Sequence, residues 1–223
     1  MSRLLLLFSL FLPSFPVLAS SALTALETRW LKAGAPVIAY ARAQGLPLDI
    51  VVQPQTTPDA VPLALGFANG RCKLVLSMRG NAQAEAVLAS VRADQKSLMI
   101  EAMTAHEIGH CQRYAQGDWH QMPAGFVEPR TRRMPTLAQE LAATRREEGY
   151  ADLVALAWMH QHHLANYRAV LDWMGSVRAS MASGSHDTAP WLALAAVPAV
   201  FDDADTPFEQ AQKLWQQGLR QGK

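Results

Sequence analysis

The stretch "MTAHEIGHCQRY", Met103 to Tyr114, sets two histidines four positions apart with a glutamate directly after the first. It lies in a segment, residues 97–115, that reads as a helix stopped by Gly117. Side chains four apart on a helix differ by about 40° and sit one turn apart, so His106 and His110 can aim both imidazoles at one ion. Glu107 is turned about 100° from His106, beside that ion but not on it. A carboxylate there can take a proton from a water that zinc has acidified toward pKa ~7. Met103, Ala105, Ile108 and Gly109 are small or apolar, as on a buried helix, and Gly109 lets another element come close.

A catalytic zinc commonly takes three protein ligands and leaves one position open. The third ligand is expected from "TRREEGYADLVALAW", residues 144–158 of a helix predicted over 137–163 with Thr136 able to cap it. Glu148 and Asp152 are four apart and share a face. Glu148 can ligate while Asp152 accepts the other ring N–H of a ligand histidine. Glu147 competes, but it is turned about 100° away and has no acidic partner at that spacing. With Arg145 and Arg146 the pair Glu147–Glu148 also fits a solvated face. The apolar run after it argues for burial, where an acid needs a partner.

The rest of the 223-residue chain supports one domain with its own core. Half the residues are hydrophobic, 17% are charged, and the net charge is +1. No basic excess marks a nucleic-acid partner, and the six tryptophans read as core and cleft residues rather than a stacking platform. Residues 1–19 read as a secretory signal: Arg3, the run "LLLLFSLFL", then small residues suited to cleavage after Ala19. The run is short for a membrane span and is followed by Pro13 and Pro16, so no membrane contact is expected of residues 20–223. That domain is predicted to work in the periplasm or outside the cell. Cys72 and Cys111 allow one disulfide in such a compartment.

Residues 22–44 are predicted to be helical, broken into two pieces at Gly34 and Pro36. Ile50 to Val52 is a short β-branched run. Residues 61–67 and 72–78 read as two arms of a hairpin around Asn69-Gly70, a pair suited to the positive φ angles of a tight turn. Helices are expected at 84–91, 167–180, 191–194 and 208–219, and a long loop at 117–135. The fold class is α+β, a small antiparallel sheet packed on a mainly helical body. His160, His162 and His163 do not all share a face and read as a polar helix end.

With "HEIGH" at His106–His110 and "EGYAD" at Glu148–Asp152, the chain resembles the gluzincin metallopeptidases, which share H-E-x-x-H on one helix and E-x-x-A-D on a later one. The resemblance implies a zincin-like fold and one Zn²⁺ held by His106, His110 and Glu148. It gives Glu107 the role of general base and Asp152 that of acceptor for a ligand histidine. It also implies a peptide or protein substrate, paired by its backbone with a strand near the motif helix. The second hairpin arm, Lys73, Leu74, Val75, Leu76, Ser77 and Met78, is the expected strand. A late histidine supports the oxyanion in related enzymes, and His186 in "SGSHDTAPW" takes that place here, oriented by Asp187 or Thr188. Two rival readings are a catalytically silent zinc-binding scaffold and a zinc amidase acting on a non-peptide or cell-wall amide.

Overall fold

The computed structural model describes residues 22–55, 57, 61–126, 136–181, 184–201 and 205–222. The predicted leader and its cleavage point at Ala19 lie outside them, as does the end of the 117–135 loop. Among the described residues, no helix is long and apolar enough to cross a membrane.

Helix α1, Ala25–Ala43, starts on a reciprocal cap: Glu27 N–H donates to Thr24 Oγ1, and Thr24 N–H donates to the Glu27 carboxylate. It is not broken in two as expected. Pro36 sits inside it on the exposed side, as does Lys32, whose carbonyl the proline cannot bond, so water can take it. Gly34 faces helix α2, Lys96–Ala115, so closely that a Cβ would lie 2.6 Å from Thr104 Oγ1. Packing on α2 therefore holds the helix through its weak point. The segment expected as a helix at 84–91 forms only a 3₁₀ turn, Ala86–Leu88.

Strands β1 (Leu48–Pro54), β2 (Leu63–Ala68) and β3 (Arg71–Arg79) form one sheet in the order β1-β3-β2. The hairpin lies where the sequence puts it, with Asn69 and Gly70 at φ 55° and 70°. Two expectations need correction. The sheet is mixed, because β1 runs parallel to β3. β3 is also the central strand. Lys73, Leu74, Val75 and Leu76 pair with β1 on one side and β2 on the other, and Ser77 N–H donates to Pro62 C=O. Met78, at 2% exposure, is packed in the core. These residues offer no open edge to a substrate. The physical reason is burial: Cys72, Leu74, Leu76 and Met78 alternate onto the core face, so the most apolar strand takes the middle. The open edge nearest the site belongs to β2.

The body is completed by α3 (Thr136–His163), α4 (Tyr167–Ala179), α5 (Ala189–Leu192) and α6 (Pro207–Arg220). Trp30, Trp158, Trp191 and Trp215 are buried in it. A Cβ on Gly149 would meet the Trp191 ring at 2.5 Å, so this glycine admits the indole beside α3. Cys72 at the start of β3 and Cys111 on α2 form a disulfide with Cα atoms 5.6 Å apart. It ties the central strand to the helix carrying both motif histidines. Thiol titration of the denatured, unreduced protein is expected to find no free cysteine. The double variant Cys72→Ala/Cys111→Ala is expected to lose about 3–4 kcal/mol in denaturant unfolding, from the loop-closure entropy of its 39-residue separation.

Candidate metal centre

Helices α2 and α3 cross at Gly109. A Cβ there would lie 3.0 Å from Ala151 Cα, so only glycine permits this approach without a shift. The crossing sets His106 and His110 opposite Glu148 and Asp152. The Nε2 atoms of the two histidines stand 3.1 Å apart, and each lies 3.4 Å from an oxygen of Glu148. These three residues are the group among the described residues that could hold a metal ion, with ligand atoms all within 4.8 Å of one another. Two imidazole nitrogens and a carboxylate oxygen form the donor set of a catalytic zinc with an open position, so the residues fit the metal. Its identity is not fixed by the donor set alone.

The helix phase separates the two neighbouring glutamates as expected. Glu147 is buried on another face, where Arg113 Nε and Nη2 donate to its two oxygens at 2.8 and 3.0 Å. It also accepts the His120 backbone N–H at 2.9 Å. Asp152 is fully buried and meets His106 Nδ1 at 2.9 Å. Two of its partners were not foreseen. Arg178, near the end of α4, donates to both Asp152 oxygens at 2.9 and 2.6 Å, and Thr188 Oγ1 donates at 2.5 Å. Arg178 Nη2 also lies 3.5 Å from Glu148 Oε2. Arg178 follows Asp152 by 26 residues and belongs to another helix, so no spacing rule could have found it. Thr188 thus serves Asp152 rather than His186.

The charges explain the titration of the metal-free site. Burial opposes a proton on His106, but hydrogen bonds and charge from Asp152 and Glu148 overcome it and raise the ring to about 10. Burial pushes the Glu148 carboxyl up, and the two histidines hold it well below the usual carboxylate range. Asp152 is pushed up by burial yet drawn down to about 2, first by the Arg178 charge. Glu107 is half-buried in the cleft and makes no hydrogen bond or ion pair among the described residues. Desolvation raises its carboxyl, against the pull of His106 and His110.

The centre lies in a cleft of about 540 Å³ that includes Glu107 and Arg178. Leu63 and Leu65 of β2 line one wall, Met103 and Trp173 another, and Tyr114 and Trp119 close one part of it. His186 is at the mouth, with Nε2 3.7 Å from Glu148 Oε2 and Nδ1 3.1 Å from Ser185 Oγ. The histidines at the end of α3 do not form a second centre. His163 pairs with Glu101, His162 stacks on Trp158, and His160 packs against Phe201.

Glu148→Ala is expected to abolish stoichiometric metal uptake. Glu147→Ala should keep one ion per folded chain and lose roughly 3–5 kcal/mol of stability by stranding buried Arg113. Metal analysis beside denaturant unfolding checks both. Metal at His106 Nε2 must displace the proton held there below pH about 10. Apparent affinity should therefore rise about tenfold per pH unit through the neutral range, as one proton is released per ion bound. Calorimetry in buffers of different ionisation heat measures that proton. In comparisons with known proteins, no protein-family profile, curated protein or solved structure matches the chain.

Proposed function

We propose that the chain is an exported zinc-dependent metallopeptidase of the gluzincin type, with a zincin-like fold and one zinc per chain. The observation that carries this reading is Glu107: a desolvated carboxylate, unpaired among the described residues, beside a two-histidine, one-glutamate cluster in an open cleft. A scaffold that keeps zinc for stability has no use for such a group. Zinc held by His106, His110 and Glu148 supplies a Lewis acid that polarises a carbonyl and acidifies water. Glu107 takes a proton from the attacking water and delivers it to the leaving amine as the C–N bond breaks. His186, exposed at the mouth, donates to the oxyanion. Asp152 fixes the tautomer of His106, and Arg178 with Thr188 holds Asp152 in place. The open edge of β2 at Leu63–Leu65 replaces the central strand as the place where an extended substrate adds its backbone. The leader-like residues 1–19 and the disulfide support action outside the cytoplasm.

A proteolysis screen of the mature chain with unfolded proteins and a peptide library tests the reading. Glu107→Gln should abolish hydrolysis and keep the metal. His186→Ala should lower kcat by about 10²–10³ with metal content unchanged. Equal peptide hydrolysis by wild type and Glu107→Gln would sink the mechanism. Hydrolysis of cell-wall amides alone would move the substrate class away from peptides.

A further inference from the structure

The two ligand histidines are held in different ways. His106 has the Asp152 carboxylate on Nδ1. His110 is buried, and its Nδ1 has no hydrogen-bond partner among the described residues. A ligand ring with nothing on its far nitrogen is free to tilt unless packing stops it. Beside the His106 ring at 4.7 Å, that packing comes from Trp119, whose ring meets His110 edge-to-face at 5.3 Å between centroids and 76° between planes. Trp119 is fixed in turn. It stacks on Tyr114 at 4.2 Å, Tyr114 stacks on Phe67 of β2 at 5.3 Å, and His120 stacks on the indole at 5.1 Å.

The start of the 117–135 loop, which carries Trp119, is held by the buried Arg113–Glu147 pair. Arg113 Nη2 donates to the carbonyls of Asp118 and Gln121 at 2.7 and 2.8 Å, and Glu147 accepts the His120 N–H. The left-handed backbone of His120, φ 62°, is the strained point that these bonds hold. Arg113 is one turn beyond Gly109 on α2, and Glu147 adjoins the ligand Glu148 on α3. The clasp therefore joins the same two helices that supply the ligands.

We infer that Trp119 is the positioning residue for His110, holding by packing a ligand ring that no hydrogen-bond acceptor among the described residues holds, with the Arg113–Glu147 clasp keeping the indole in place. This rests on the metal-centre reading. Metal retention then depends on the loop around Trp119, and the two histidine ligands differ in how firmly each is set. A ring free to tilt leaves the ion sooner, so the effect falls on the rate of metal loss.

The experiment uses full-length mature protein loaded with zinc, and measures transfer to a chromophoric chelator. Trp119→Ala should lose the ion about 10–100-fold faster, the size seen when a ligand's supporting contact is removed. Trp119→Phe keeps an aromatic edge and should stay within about threefold of wild type. Cobalt substitution gives a second readout. The visible d–d bands should shift in Trp119→Ala and return in Trp119→Phe. Thermal unfolding of the metal-free proteins should differ little, which separates positioning from loss of structure. Wild-type metal loss and an unchanged cobalt spectrum in Trp119→Ala would overturn the inference and leave the centre standing. A wild type that takes up no metal would overturn both. Hydrolysis is not read, so a protein that binds zinc and cleaves nothing would refute only the peptidase proposal.

Discussion

The close crossing of α2 and α3 at Gly109 is the constraint on which the site depends. With the backbones this near, His106, His110 and Glu148 from two successive helices share one space about 4.8 Å across. A side chain at Gly109 would meet the Ala151 backbone itself, which cannot swing aside as a side-chain tip can. Separating the helices by even an ångström would move Glu148 away from the histidines. The same approach buries Asp152 fully, and that burial is why its partners must be so complete.

The electrostatics follow from that geometry. Asp152 and Glu148 place two carboxylates in a water-poor space. They are compensated by Arg178 and by the proton that Asp152 and Glu148 hold on His106. Two negative charges then face two positive ones. A buried charge without a partner would have cost several kcal/mol. Arg178 therefore belongs to the site as much as His106 and Glu148 do, since its guanidinium reaches both Glu148 and Asp152.

Two further connections keep the cleft in shape. The disulfide ties β3 to α2, so the sheet cannot drift from the motif helix. The Arg113–Glu147 pair ties the loop of Trp119 to both helices. Between these anchors lies β2, whose outer edge is open and faces the cleft with Leu63 and Leu65. An open strand edge is a hazard in most folds. Here it borders a cleft.

Much of the centre was legible in the sequence because its parts are local and periodic. His106 and His110, like Glu148 and Asp152, are pairs at helical spacing, and helix phase alone separated Glu148 from Glu147. The Asn69-Gly70 turn was legible for a similar reason, since two positive φ angles demand that kind of residue pair. The tertiary structure decided what depends on contacts between distant segments. It placed β3 in the middle of the sheet, because the strand with the most apolar core face is stabilised by neighbours on both sides. It carried α1 through Pro36, because packing of Gly34 on Thr104 outweighs one missing hydrogen bond. It brought Arg178 and Thr188 to Asp152, and Trp119 to His110. Those partners satisfy burial and packing, which exist only once the chain has folded, and no spacing along the sequence records them.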